Sequence, residues 1–253
     1  MLAKLTAFQP GKVNIKTLIL TTVYTLASVV VALMISWQLL KQINFSYGFW
    51  HDNAKIGWAI DKYGPQNYYK LGFGQTTREQ RIDLFRQINE AVHSGGKGLA
   101  EIRYEVYPYP KQRLLRTAEV IHLQDVANFI DKCMVAGWIG IILWFVLLLY
   151  YYLNKTSPPK IRKQLLALIG VVLFSTVLIF ILGPTEVFTV FHEVVFPQGN
   201  WFFYYQASLM STMMWAPRLF GWIAIEWVIF TIVTFTVTQY AAQLLLKKLM
   251  KRT

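Results

Sequence analysis

Imidazole can take up and return a proton near neutral pH, and two of this chain's four histidines sit among residues that would let them do so. His122 lies in Glu119-Val120-Ile121-His122-Leu123-Gln124-Asp125, with a carboxylate three residues to either side. On a helix, Glu119 and Asp125 each fall about one turn away, where either would fix the tautomer of the ring. His192 lies in Phe191-His192-Glu193-Val194-Val195-Phe196-Pro197, with Glu193 beside it and Asn200 and Trp201 just beyond. A free histidine titrates near ~6.5, and as a positioned general acid or base it contributes about 10²- to 10⁴-fold to a rate. No Gly-x-Ser-x-Gly elbow frames a nucleophilic serine, and Ser208 and Ser211 lack any such setting. An acyl transfer performed here would therefore draw its nucleophile from the substrate.

The two histidine segments flank different hydrophobic runs. Residues 18–40, 133–153, 165–185 and 227–246 carry no charge, and each reaches the ~20 residues that a helix needs to cross a hydrocarbon core. Mean hydropathy of +0.38 and 55% hydrophobic residues agree with a membrane protein. Lysine and arginine cluster in the N-terminal tail (Lys4, Lys12, Lys16), after the second run (Lys155, Lys160, Arg162, Lys163) and at the end (Lys247, Lys248, Lys251, Arg252), and no Asp or Glu accompanies them. Basic short segments stay cytoplasmic, so both termini are expected inside and both histidine segments outside. The same topology accounts for much of the net charge of +12, which otherwise points to nucleic acid; no nucleic-acid partner is expected.

The expected fold is a mainly α membrane protein: a four-transmembrane-helix bundle with a small α/β extracytoplasmic domain between the first and second spans. Its parts are a cytoplasmic tail (1–16), a span (17–40), the extracytoplasmic domain (41–132), a span (133–153), a cytoplasmic loop (154–164), a span (165–185), an apolar extracytoplasmic interfacial loop (186–218), a span (219–246) and a cytoplasmic tail (247–253). The first run is longer than a signal-peptide core and is read as an uncleaved span. Cys133 is alone, so no intramolecular disulfide and no thiol metal cluster can form.

Within the outer domain, Thr76-Thr77-Arg78-Glu79-Gln80 offers overlapping capping boxes, followed by Ile82, Phe85, Ile88 and Val92 at helical spacing and a stop at Ser94-Gly95-Gly96. Ile102, Tyr104 and Val106 alternate with charged residues and predict one strand, ended by Pro108 and Pro110. Residues 119–131 extend the second span outward, placing His122 about 16 Å above the first residue of its apolar run if the helix is straight. His93 closes a helix where a cation suits the dipole, and His51 in Trp50-His51-Asp52-Asn53 is read as a turn residue. The glycines around Phe73 and Lys97 are read as turns. Trp201-Phe202-Phe203-Tyr204-Tyr205 and Met210 to Trp215 are too apolar for water and are expected at the outer leaflet. Glu226 is left between binding a substrate head group and pairing with Arg218.

The segments Glu119-x-x-His122-Leu123-x-Asp125-Val126 and Phe191-His192 through Phe196-Pro197-x-x-Asn200-Trp201, set in four spans, resemble the bacterial lipoprotein intramolecular transacylase family, Lit. The resemblance implies an acyltransferase without metal or cofactor, at the outer face of the bacterial cell membrane. Its substrate would be a lipoprotein whose N-terminal cysteine carries a diacylglyceryl group, and the sn-2 acyl chain would move to that cysteine's α-amino group to give the lyso-form. His122 and His192 would be catalytic, supported by Glu119, Asp125 and Glu193, with Asn200 or Trp201 stabilising the oxyanion or binding substrate. Two readings from other classes remain open on sequence. One is a non-catalytic sensor or accessory membrane protein; the other makes the histidines ligands of haem or zinc.

Overall fold

The structure, a computed structural model, describes residues 15–251. Lys4 and Lys12 of the expected N-terminal tail, and Arg252 of the C-terminal one, lie outside the described residues. Helix α1 (Ile15–Gln42) is followed by short helices α2 (Tyr47–Asn53) and α3 (Ile56–Tyr63), then α4 (Arg78–Val92). A hairpin of β1 (Arg103–Val106) and β2 (Tyr109–Arg113) leads into α5 (Thr117–Leu153). After α6 (Ile161–Leu182) come α7 (Pro184–Val195), α8 (Leu209–Met214) and α9 (Arg218–Met250).

Helices α1, α5, α6 and α9 are long and apolar enough to cross a membrane. With its 37 residues α5 is about 55 Å long, nearly twice a hydrocarbon core, so the part preceding the apolar run at residue 133 projects beyond the bundle. Since lipid is as apolar as leucine, the spans need polar and small-residue contacts to associate. Tyr24 Oη donates to Gln239 Oε1 at 2.9 Å, and Ser36 and Thr231 hydroxyls meet at 2.9 Å, joining α1 to α9. Gly137 and Gly140 of α5 bring it so close to α1 that an added Cβ would collide with Met34 and Val30 respectively. Most side chains of α6 are exposed along its length, and Gln164 near its start is the buried one.

At the end of the bundle where α1 finishes and α5 and α9 begin, a cap folds around Tyr47, Ile60, Phe73, Phe85, Ile88, Leu114 and Leu123. The predicted capping box forms at α4, where Gln80 N donates to Thr77 Oγ1 and Thr77 N donates to Gln80 Oε1. The predicted strand pairs with a second one that the prolines concealed. Pro110 sits in β2 because a strand of a two-stranded hairpin has an open edge, where a missing N–H costs nothing. His51 lies on α2 rather than in a turn, with Nδ1 2.8 Å from Asp52 and its ring packed where only Gly57 leaves room. All of α8 is buried in the cap core, so Met210, Met213 and Met214 are covered by protein and not by lipid.

Three consecutive residues, Asn44, Phe45 and Ser46, turn the chain left-handed between α1 and α2 (φ 56°, 50° and 50°), a conformation costing roughly 1–2 kcal/mol per residue. Side chains hold it: Asn89 Nδ2 donates to Asn44 Oδ1 at 3.2 Å, and Glu226 accepts from the Ser46 hydroxyl and, at 3.2 Å, from Trp50 Nε1. Glu226 is thus a brace of this turn and does not pair with Arg218, whose guanidinium lies over Trp215. Replacing Glu226 by alanine removes both acceptors. It is expected to cost about 1–3 kcal/mol and lower the unfolding temperature of the purified protein by several degrees; an unchanged transition in a thermal unfolding scan would refute the brace.

Candidate active site

The projecting part of α5 buries one face, made by Glu119, His122, Leu123 and Ala127, which recur at three- and four-residue spacing. Glu119 is wholly buried, and a buried carboxylate is tolerable only when its lone pairs are used. Its Oε2 accepts from Arg116 N at 2.6 Å, capping the helix start, while Oε1 accepts from Ser208 Oγ at 2.6 Å and Met210 N at 3.1 Å. Ser208 in turn accepts from Ser211 N and begins α8. The chain between α7 and α8 is thereby pulled across the face that carries His122.

His192 reaches the same place from the other side. Gly183 (φ 92°) breaks the helix after α6, Pro184 restarts it as α7, and His192 sits in the last turn. Its Nδ1 lies 2.8 Å from the Phe188 carbonyl, which accepts a hydrogen bond, so the neutral ring carries its proton on Nδ1 and leaves the Nε2 lone pair free. The His122 and His192 rings approach to 6.3 Å between centroids. Their walls are aromatic: Phe196 lies 5.1 Å from His122 and 5.6 Å from His192, Trp201 lies 5.0 Å from His192, and Phe203 lies 6.0 Å from His122.

Neither expected carboxylate orients His122. Glu119 is fully engaged elsewhere, Asp125 Oδ2 accepts from Asn200 Nδ2 at 3.0 Å, and His122 Nδ1 is buried without a partner. Glu193 is exposed and makes no bond to His192, because adjacent residues on a helix point apart. Of the seven residues singled out, the structure therefore gathers His122, His192, Asp125, Asn200 and Trp201 at the site, makes Glu119 its anchor and leaves Glu193 outside. Ser208, Phe196 and Phe203 were not singled out. The one signal for Ser208 is a serine directly ahead of the apolar Leu209-Met210, an N-cap residue type at a helix start.

His93 is also accounted for, though not as a cation. Trp37 Nε1 donates to its Nε2 at 3.0 Å and its Nδ1 lies 2.8 Å from the Asn89 carbonyl, so the ring is neutral, and burial pushes its pKa down.

Burial pushes His122 down to about 4; the neighbouring His192 adds to this and Asp125 opposes it. His192 is lowered as well, chiefly by burial, with its bond to the Phe188 carbonyl opposing. Both rings are thus neutral at neutral pH, with a lone pair available as a base, in a site dry enough to strengthen hydrogen bonds to developing charge.

Four membrane-length helices and a pair of imidazoles in an aromatic enclosure, together with the family match, define a membrane-integral enzyme of the acyltransferase class. The family model that matches is that of the lipoprotein intramolecular transacylase Lit, over residues 105–216, a stretch holding both histidines. The fold is similar to the crystal form of the membrane-integral lipoprotein intramolecular transacylase Lit from Bacillus cereus, with a TM-score of 0.62 at 16% identity, covering 94% of this chain and 99% of that one. Two variants of that protein, with a histidine replaced by arginine or by alanine, match at TM-scores of 0.61 and 0.60, each at 16% identity and 94% of this chain, covering 93% and 94% of theirs. No curated protein sequence matches the chain.

A histidine whose pKa falls on folding binds its proton more weakly in the folded state, so its contribution to stability is complete above ~6.5 and is lost as pH falls from there toward about 4. Wild type is expected to lose up to about 3 kcal/mol across that window through His122 alone. His122→Gln should flatten the fall of unfolding temperature between pH 6.5 and 4; an identical slope in both proteins contradicts the buried neutral ring.

Proposed function

We propose that the chain moves the sn-2 acyl group of a diacylglyceryl-cysteine lipoprotein to that protein's own α-amino group, at the outer face of the bacterial cell membrane. The observation that carries the reading is the approach of two neutral imidazoles from separate helices within one aromatic site, in the segment that matches the transacylase family. The amine nitrogen attacks the ester carbonyl carbon, the new C–N bond forms, the bond from that carbon to the glyceryl oxygen breaks, and the amine proton is passed on while the departing oxygen gains one. The imidazole that accepts the amine proton becomes an imidazolium, which returns that proton, directly or through the second ring, to the departing oxygen. Amine and ester belong to one molecule, so the site has only to fold them together, and such proximity is worth about 7–11 kcal/mol of barrier. Amide is more stable than ester, so no energy source is needed.

The orientation follows from charge: the basic segments at 155–163 and 247–251 keep the opposite end of the bundle in the cytoplasm, which puts the cap and the histidines outside. The aromatic walls and the exposed α6 suit acyl chains entering sideways from lipid, and Trp201, whose ring lies 5.0 Å from His192, would donate its indole N–H to the tetrahedral oxyanion.

The test is mass spectrometry of a lipoprotein N-terminal peptide from cells lacking other N-acylating enzymes. Wild type should yield the N-acyl, monoacylglyceryl peptide, and His122→Ala or His192→Ala should each cut conversion by at least about 10²-fold while membrane insertion is retained. Conversion by the double variant at the wild-type rate overturns the histidine assignment; unchanged diacylglyceryl peptide with wild type overturns the activity.

A further inference from the structure

The Asn200 side chain does not have the polarity that an oxyanion site would require. Its Nδ2 stands 3.0 Å from Asp125 Oδ2. A carboxylate is an acceptor only, so the amide must turn its nitrogen to Asp125 and its oxygen away, and the assignment of the two atoms follows from the chemistry of the partner. The atom left over, Asn200 Oδ1, is buried and has no hydrogen-bond partner. A buried acceptor without a donor costs about 1–3 kcal/mol, and such a cost is recovered when a ligand supplies the donor.

The position of this pair points to the ligand. Asp125 is one helical turn beyond His122 on α5, close enough for its charge to act on that ring. Asn200 directly precedes Trp201, whose ring lies 5.0 Å from His192. The pair therefore bridges the two segments that carry the histidines. Among the described residues no lysine or arginine forms an ion pair with Asp125, although the cap's Asp52, Asp61 and Asp83 each hold an arginine. A carboxylate without a cation, beside an amide oxygen without a donor, is complementary to a primary ammonium, which offers a positive charge and three N–H groups.

Resting on the transacylase reading, we infer that Asp125 and Asn200 form the subsite that binds the free α-amino group of the diacylglyceryl-cysteine. An α-amine with a pKa of about 7.7–8.0 arrives largely protonated. Asp125 meets its charge, Asn200 Oδ1 accepts a hydrogen bond from one of its N–H groups, and the amine is held beside His122, through which it loses one proton to solvent before attacking the ester and a second, bound for the glyceryl oxygen, as the C–N bond forms. The same subsite makes an N-acylated product a poor ligand, since an amide nitrogen has no charge and a single hydrogen, and so favours product release.

The experiment measures equilibrium binding of two synthetic lipopeptides to the full chain in lipid nanodiscs. Each has an ether in place of the sn-2 ester, so neither can transfer its acyl chain; one has a free α-amine and the other an N-acetyl group. Wild type is expected to bind the free amine about tenfold more tightly, the worth of one charge-assisted hydrogen bond. Asp125→Asn and Asn200→Leu should bring that ratio to within about twofold, and with the corresponding ester peptide should raise KM more than they lower kcat. Equal affinity of wild type for the two peptides overturns the proposal without any variant being needed, and a tenfold ratio persisting in both variants overturns it too. Wild type's turnover of the ester peptide, run alongside, reports on the transacylase reading separately, because amine discrimination is read from peptides that cannot react.

Discussion

A carboxylate with no access to water governs the architecture of the site. Glu119 can exist inside the cap only because three donors from two distant parts of the chain converge on it, and the same requirement forces those parts together. One donor is the first turn of α5; the other two belong to the start of α8. With both fastened to a single side chain, the intervening segment has to pass over His122, which is why Phe196, Asn200, Trp201 and Phe203 form the walls. Replacing the glutamate by an apolar group would strand a hydroxyl and two amides in the core, so the anchor is demanding as well as strong.

The spans supply a different kind of restraint. Between α1 and α5 the fit depends on two glycines, and between α1 and α9 on hydroxyl and amide pairs, so these three helices form a close-packed unit on which the cap sits. The left-handed turn at residues 44–46 ties that unit to the cap through Glu226. The fourth span is joined through Gln164, which donates to the Pro159 carbonyl and accepts from Thr25, both at the end away from the histidines.

The large features could be read from residue types because they follow from solvent and charge: uncharged runs of membrane length, basic segments without acids, and two histidines at the same end. The helix at 78–92 declared itself through Thr77 and Gln80, and the outward continuation of α5 through its single buried face. What escaped had non-local causes. Glu119 looked like a tautomer-fixing neighbour of His122 because it is three residues away, whereas one of its oxygens is taken by Ser208 and Met210, 89 and 91 residues away, and the other by the Arg116 amide. Asp125 is likewise satisfied by Asn200, 75 residues on. The strand β2 was hidden by Pro110, tolerated because its edge is open, and α2 and α3 are too short to show a hydrophobic period. The methionines of α8 are apolar enough for lipid, and composition alone does not distinguish a lipid surface from a protein core.

The two imidazoles are held by unlike materials. His122 is set in a packed protein interior, while α7, which carries His192, buries no residue completely and hangs from the far end of a span anchored near its start. The position of His192 accordingly rests on the short helix that restarts after Gly183 and on the aromatic rings of Phe188 and Trp201 around it, whereas that of His122 rests on a helix whose neighbouring residues Leu123 and Ala127 belong to the cap core.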